Sequence, residues 1–122
     1  MALGFWKLAQ EHPAHLALVE PDGTEHTAGD LLAACNQVAH GLRAAGVQRG
    51  DTVATLLKNG APFMELYLGA MQIGAYLVPV NWHLAPPEVH YIVEDSESKV
   101  FVDSDDALLK LKDGQPTELP DV

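Results

Sequence analysis

Few side chains in this sequence stand where chemistry is easy, and Trp82 and His83 are the best placed. They follow Tyr76 to Val80, a short run that reads as a strand, and precede Pro86 and Pro87, which open a helix. Open α/β sheets bind ligands in loops between a strand's C-terminal end and the next helix. An indole there can stack on a base, and an imidazole can bond a phosphate. The competing expectation is that Trp82 packs beneath its loop while His83 faces water. Other candidates fail on spacing. His12 and His15 are three apart and could share a helical face, but Pro13 separates them and no carboxylate or cysteine stands at metal-ligand spacing. Asp103, Asp105 and Asp106 begin like a calcium loop, yet Ala107 and Leu108 fall where an oxygen ligand and a glycine are required, which leaves a solvated acidic turn. Cys35 lies on an apolar stripe, where a free thiol is buried and inert. No Gly-x-Ser-x-Gly, Gly-x-Gly-x-x-Gly or Gly-x-x-x-x-Gly-Lys-Ser/Thr occurs, so neither a serine nucleophile nor a common glycine-rich phosphate cradle is expected. The segment is expected to hold no catalytic residue and no metal site.

These residues need elements to position them. Ala17 to Val19, the turn Asp22-Gly23 and the return Thr24 to His26 predict a small hairpin. Thr27, with Asp30 three residues on, starts a helix over 28–45. Its apolar stripe is Leu31, Cys35, Val38 and Leu42, and Asn36, Gln37, His40 and Arg43 fall on the other side. Gly46 ends it, and Gly41 within it marks a close backbone approach. A strand over 52–57 follows, then a largely buried helix over 63–73 stopped by Gly74. The strand 76–80, a helix from Pro86 that frays at 94–98, the strand 100–102 and a short helix around Leu108 to Leu111 complete the order. Strands alternating with helices across short connections predict an α/β fold: βαβ units, with a mostly parallel sheet flanked by helices. Residues 112–122 read as a loop or linker.

Composition bounds the function. In 122 residues, 48% are apolar, enough for a real core, and 7 basic against 17 acidic residues give a net charge of −10. Such a field repels phosphate backbones and excludes a nucleic-acid binder. One cysteine excludes a disulfide framework and points to a reducing compartment, most simply the cytoplasm. The N-terminus lacks a signal-peptide pattern, and the apolar region 63–80 is broken by Glu65, Gly69, Gln72, Gly74 and Pro79, so no transmembrane segment is expected.

The order of motifs resembles the N-terminal part of the adenylate-forming (AMP-binding) enzymes, in the fatty-acyl-CoA synthetase branch. The segments carrying the likeness span about 10–103. They are His12-Pro13-Ala14-His15-Leu16-Ala17-Leu18, a degraded His26-Thr27-Ala28-Gly29-Asp30-Leu31 lacking the family's Tyr, Gly46-Val47-Gln48-Arg49-Gly50-Asp51-Thr52-Val53-Ala54, and Asn59. The strongest is Leu68-Gly69-Ala70-Met71-Gln72-Ile73-Gly74-Ala75-Tyr76-Leu77-Val78-Pro79-Val80-Asn81, continued by Trp82-His83-Leu84-Ala85-Pro86-Pro87-Glu88-Val89. The resemblance implies that 1–122 are an incomplete AMP-binding domain. It implies a parent enzyme that joins a fatty or other carboxylic acid to CoA through an acyl-adenylate, using ATP and Mg²⁺. The family's Thr/Ser-Gly-Thr-Thr-Gly-x-Pro-Lys phosphate loop, its ribose-binding Asp and its adenylation Lys are not among these 122 residues, which alone are therefore expected to be inactive. By position in the family, Trp82 and His83 would lie where the nucleotide end of CoA docks, with His83 standing in for an Arg. A homo-oligomer is compatible with this reading. The alternative is a free-standing, non-catalytic α/β interaction module derived from the family.

Overall fold

The computed structural model describes residues 4–120. A first helix, α1 (Phe5–Glu11), leads into a hairpin of β1 (Leu16–Val19) and β2 (Glu25–Thr27). Then follow α2 (Ala28–Ala44), β3 (Thr52–Thr55), α3 (Ala61–Gln72), β4 (Tyr76–Pro79), α4 (Pro86–Asp95), β5 (Val100–Val102) and α5 (Asp105–Lys112). The hairpin turns where Asp22-Gly23 predicts it: Gly23 has φ +92°, and the Asp22 carboxylate accepts the Thr24 N–H at 2.9 Å. Thr27 caps α2 through its hydroxyl, which accepts the Asp30 N–H at 3.2 Å. Past the helix end, Gly46 sits at φ +95° and the Val47 N–H reaches back to the Leu42 carbonyl. His12 and His15 do not share a helical face. His12 is the C-cap of α1, and His15 lies in the turn beyond, donating its N–H to the His12 carbonyl.

The second sheet is parallel throughout, in the order β4-β3-β5. Two helical layers cover it, as parallel strands require. Successive side chains of β3 point to opposite faces. Val53 enters the larger core with Val38 and Leu42 of α2, Leu66 and Ala70 of α3, and Leu108 of α5. Ala54 faces α4, packing with Val80 and Val89. Thr55 is fully buried in the central strand; its hydroxyl donates to the Val102 carbonyl at 2.8 Å and accepts the Leu57 N–H at 3.0 Å. A third cluster, Trp6 with Leu31, Cys35 and Leu68, fixes α1 against α2 and α3.

Small residues let the helices approach. A Cβ on Gly69 would fall 2.8 Å from Val38 and 2.9 Å from the Cys35 carbonyl, so α2 and α3 meet backbone to side chain. A Cβ on Gly41 would overlap the Leu111 carbonyl, which is the close approach the sequence predicts. Two expectations need amending. The acidic run beyond Asp103 is not merely a turn: Ser104 caps α5, and Asp105 and Asp106 lie in its first turn, where negative charge suits the helix dipole. Asn36 does not face water. It is buried, its amide nitrogen donates to the Thr117 carbonyl at 2.7 Å, and its oxygen accepts from Gln72 at 2.9 Å. Gln37 and His40 bond the Gln115 and Glu118 carbonyls, so the segment 113–120 is a strap laid along α2.

Candidate functional site

Because β3, β4 and β5 run parallel, their C-terminal ends open on one side of the sheet, and three loops gather there. The β3–α3 loop carries Lys58 and Asn59, the β4–α4 loop Trp82 and His83, and the β5–α5 turn Asp103 and Ser104. Asn81 shapes the second loop: its side-chain oxygen accepts the His83 N–H at 2.9 Å, and its backbone carbonyl accepts the Leu84 N–H at 3.1 Å. The His83 ring then lies 3.6 Å from that of Trp82, with their planes 32° apart. Lys58 Nζ sits 3.9 Å from the centre of the Trp82 ring. Trp82 remains 48% exposed, so it is not a core residue under its loop. Its ring already has two neighbours, and a base stacking there would compete with them.

Two clefts flank this cluster. The larger, about 610 Å³, runs between the β3–α3 loop and the hairpin, and Glu20, Glu65, Asp103 and Asp105 line it together with Lys58 and His26. The smaller, about 420 Å³, lies under α4 and is walled by Leu84, Val89, Val93 and Phe101, with Trp82 at its rim. Leu56 and Asp103 belong to both. Among the described residues Lys58 forms no ion pair, whereas Lys112 is paired with Glu65 at 2.6 Å. At the far wall of the larger cleft, Glu20 meets His26 at 3.0 Å and accepts the Ala61 N–H at 3.2 Å. These two hydrogen bonds, His26 first, hold the Glu20 carboxyl below its ordinary range. Glu20 thus caps α3 from across the chain, where Gly60 offers no side chain of its own. Cys35 is fully buried away from the clefts, and burial, then the charge of Glu65, pushes its thiol up to about 12, which rules it out as a nucleophile. Among the described residues no three metal-ligating side chains converge.

Residues 5–121 match the AMP-binding enzyme family. The chain belongs to that family. It is 41% identical over 101 residues to the long-chain-fatty-acid–CoA ligase FadD13 of Mycobacterium tuberculosis, a match covering 80% of this chain and 20% of the relative. It is 39% identical over 93 residues to the fatty acid–[acyl-carrier-protein] ligase ScoC of Streptomyces coeruleorubidus, covering 76% and 18%. The crystal structure of the N-terminal domain of FACL13 from M. tuberculosis superposes with a TM-score of 0.86 at 29% identity, over 97% of this chain and 37% of that one. The chain spans about a fifth of the length of the curated relatives it matches. The α/β architecture expected of the family is the one observed.

The sequence located the Trp82–His83 loop but not its partner. Lys58 stands before the Asn59-Gly60 break with no motif to mark it. The Glu20–His26 pair lies either side of a predicted turn, and an acid and a histidine flanking a hairpin turn were the one signal that could have revealed it.

Proposed function

We propose that these residues form part of the AMP-binding domain of an ATP-dependent acyl-CoA ligase, which converts a fatty or other carboxylic acid to its acyl-adenylate and passes the acyl group to the CoA thiol. The observation that carries this reading is the family match across 5–121 combined with the cleft-bearing C-terminal edge of the sheet. The residues present do not fit the phosphates of ATP. Glu20, paired with His26, Glu65, paired with Lys112, and the carboxylates Asp103 and Asp105 line the larger cleft beside Lys58, which leaves no excess of cations for a triphosphate. CoA fits better. Lys58 and His83 beside Trp82 can meet a phosphate, and the apolar cleft beneath can receive a flexible arm. On this reading the β4–α4 loop faces CoA. The free, buried Cys35 suits a cytoplasmic setting.

The test is a transplant. These residues replace the matching segment of FadD13, and the hybrid is assayed for fatty-acid-dependent ATP–pyrophosphate exchange and for CoA thioester. Retention of both supports the reading; a folded hybrid lacking both overturns it.

A further inference from the structure

Away from the loops at the C-terminal ends of the strands, where β4 begins, Arg49, Tyr67, Met71, Gly74, Ala75 and Tyr76 line a groove of about 440 Å³. Arg49 is exposed, yet its base is fixed. Its stem packs on Gly74, where a Cβ would fall 2.9 Å from the Arg49 Cγ. The Gly50 N–H donates to the Gly74 carbonyl at 2.9 Å and the Tyr76 N–H to the Asp51 carbonyl at 2.8 Å, which ties the turn to the start of β4. The guanidinium serves neither structural end that an arginine usually meets in such a place. Among the described residues it forms no ion pair, and the Asp51 carboxylate accepts the Gln48 N–H instead. Nor does the end of α3 need it as a cap: the Ala70 carbonyl accepts the Ile73 and Ala75 N–H groups, and the Met71 carbonyl accepts that of Gly74. Beside it runs the outer edge of β4, unpaired among the described residues. Tyr76 and Val80 donate their N–H groups to Asp51 and Thr55 on the β3 side, so by the alternation of a strand Leu77 turns its N–H and carbonyl outward. Pro79 also faces outward and has no N–H, so a strand added here pairs at Leu77 and meets no donor beyond it.

We propose that this groove docks an extended acidic segment of a partner protein, which adds to β4 at Leu77 and sets a carboxylate on Arg49. Leu77 packs toward α2 and α3 and Val78 toward α4, so Tyr76 shares the α4 side of the sheet. The added segment then lies between Tyr76 on one face and Tyr67 with Met71 on the other, which gives its flanking side chains apolar walls. Charge selects its chemistry. The lining holds one arginine and no acid, in a chain where 17 acidic residues outnumber 7 basic ones. A guanidinium meets a carboxylate through two parallel N–H bonds, and main-chain pairing along the strand edge supplies the rest of the affinity.

Peptide titration of the isotope-labelled chain, followed by amide NMR at a concentration where the chain is monomeric, tests this. The probes are the acetylated, amidated peptide Thr-Val-Glu-Val-Thr, its Glu→Gln analogue, and Thr-Pro-Glu-Pro-Thr, which keeps the charge but loses main-chain donors. The Glu peptide should bind saturably, with the largest shifts at the Leu77 amide and the Arg49 side chain. The Gln peptide should bind about fivefold more weakly, the worth of an exposed arginine–carboxylate pair. The proline peptide should not saturate. Arg49→Gln should bring the Glu and Gln peptides level, and Arg49→Lys should keep the Glu peptide ahead. Equal binding of the Glu and Gln peptides to the unsubstituted chain overturns the role of Arg49, and saturable binding of the proline peptide overturns the strand addition. Shifts centred on the hairpin or on β5, or no binding at all, overturn the site. If a second copy covers the Leu77 amide as concentration rises and the Glu peptide fails to displace it, the edge belongs to copies of this chain and the proposal falls.

Discussion

Gly41 and Cys35 show how single positions on α2 are constrained from opposite sides. Gly41→Ala gains helix propensity, about 1 kcal/mol, but its methyl would overlap the Leu111 carbonyl. Overpacking against backbone costs about 1–3 kcal/mol, so the net change should be destabilising, read as a lower urea midpoint. For Cys35, burial and the neighbouring Glu65 charge keep the thiol protonated well above neutral pH. Iodoacetamide at pH 8 should leave Cys35 unmodified in the folded chain and alkylate it once urea is added, as mass spectrometry will show. Modification of the folded chain would contradict its placement. Asn36 is the third such residue. Asn36→Leu removes the Gln72 amide's acceptor and leaves the Thr117 carbonyl without its donor, for an expected loss of about 1–3 kcal/mol. That position exposes the limit of periodicity. Leu31, Cys35, Val38 and Leu42 all lie buried, as their spacing requires. Asn36 is buried because a strap some eighty residues later in the chain lies over it, and no local pattern carries that information. Lys58 was illegible for the same reason: its partner Trp82 comes from another loop.

At the scale of elements, the turns and caps were legible because glycine, proline, serine and threonine act on their own neighbours. The Asp22-Gly23 turn, the Thr27 cap and the Gly46 stop are local chemistry. The tie between the hairpin's Glu20 and the start of α3 is not. Glu20 provides the cap that the Gly60 terminus lacks, and His26 fixes its carboxylate. Because the folded carboxyl titrates below its ordinary value of 4.5, the stabilisation it provides is complete above that value and is lost as pH falls through the lowered one. Glu20→Gln should therefore lower the melting temperature at pH 7, and the gap from the parent chain should close on acidification to pH 3. A gap independent of pH would remove the charge from the explanation.

At the scale of the whole molecule, the sheet is covered on both faces but open at both edges. Among the described residues β4 and β5 each pair only with β3. Tyr76 on the β4 edge is 67% exposed, and Leu16 and Val19 of the hairpin are about half exposed. Apolar surface beside unpaired strand edges favours association. The 122-residue chain alone should form concentration-dependent oligomers in light scattering, and a clean monomer at high concentration would count against this. It should also show no ATP–pyrophosphate exchange above buffer with any fatty acid, since neither the phosphate loop nor the adenylation lysine is among its residues.

The central position of β3 also imposes an order of events on a growing chain. β3 is synthesised before either of its partners, and its buried Thr55 hydroxyl finds its acceptor, Val102, 47 residues later. Until β5 leaves the ribosome, one side of β3 has no ladder and the hydroxyl of Thr55 has no carbonyl to meet. Contacts this distant in sequence must close a long loop before they repay its entropy, which slows formation of the sheet relative to the hairpin and α2. A chain stopped before Tyr76 would carry an unpaired β3 and one stopped between Pro79 and Val100 a half-paired β3, so a ladder of stalled nascent chains should become protease-resistant in one step as β5 emerges, rather than gradually with length.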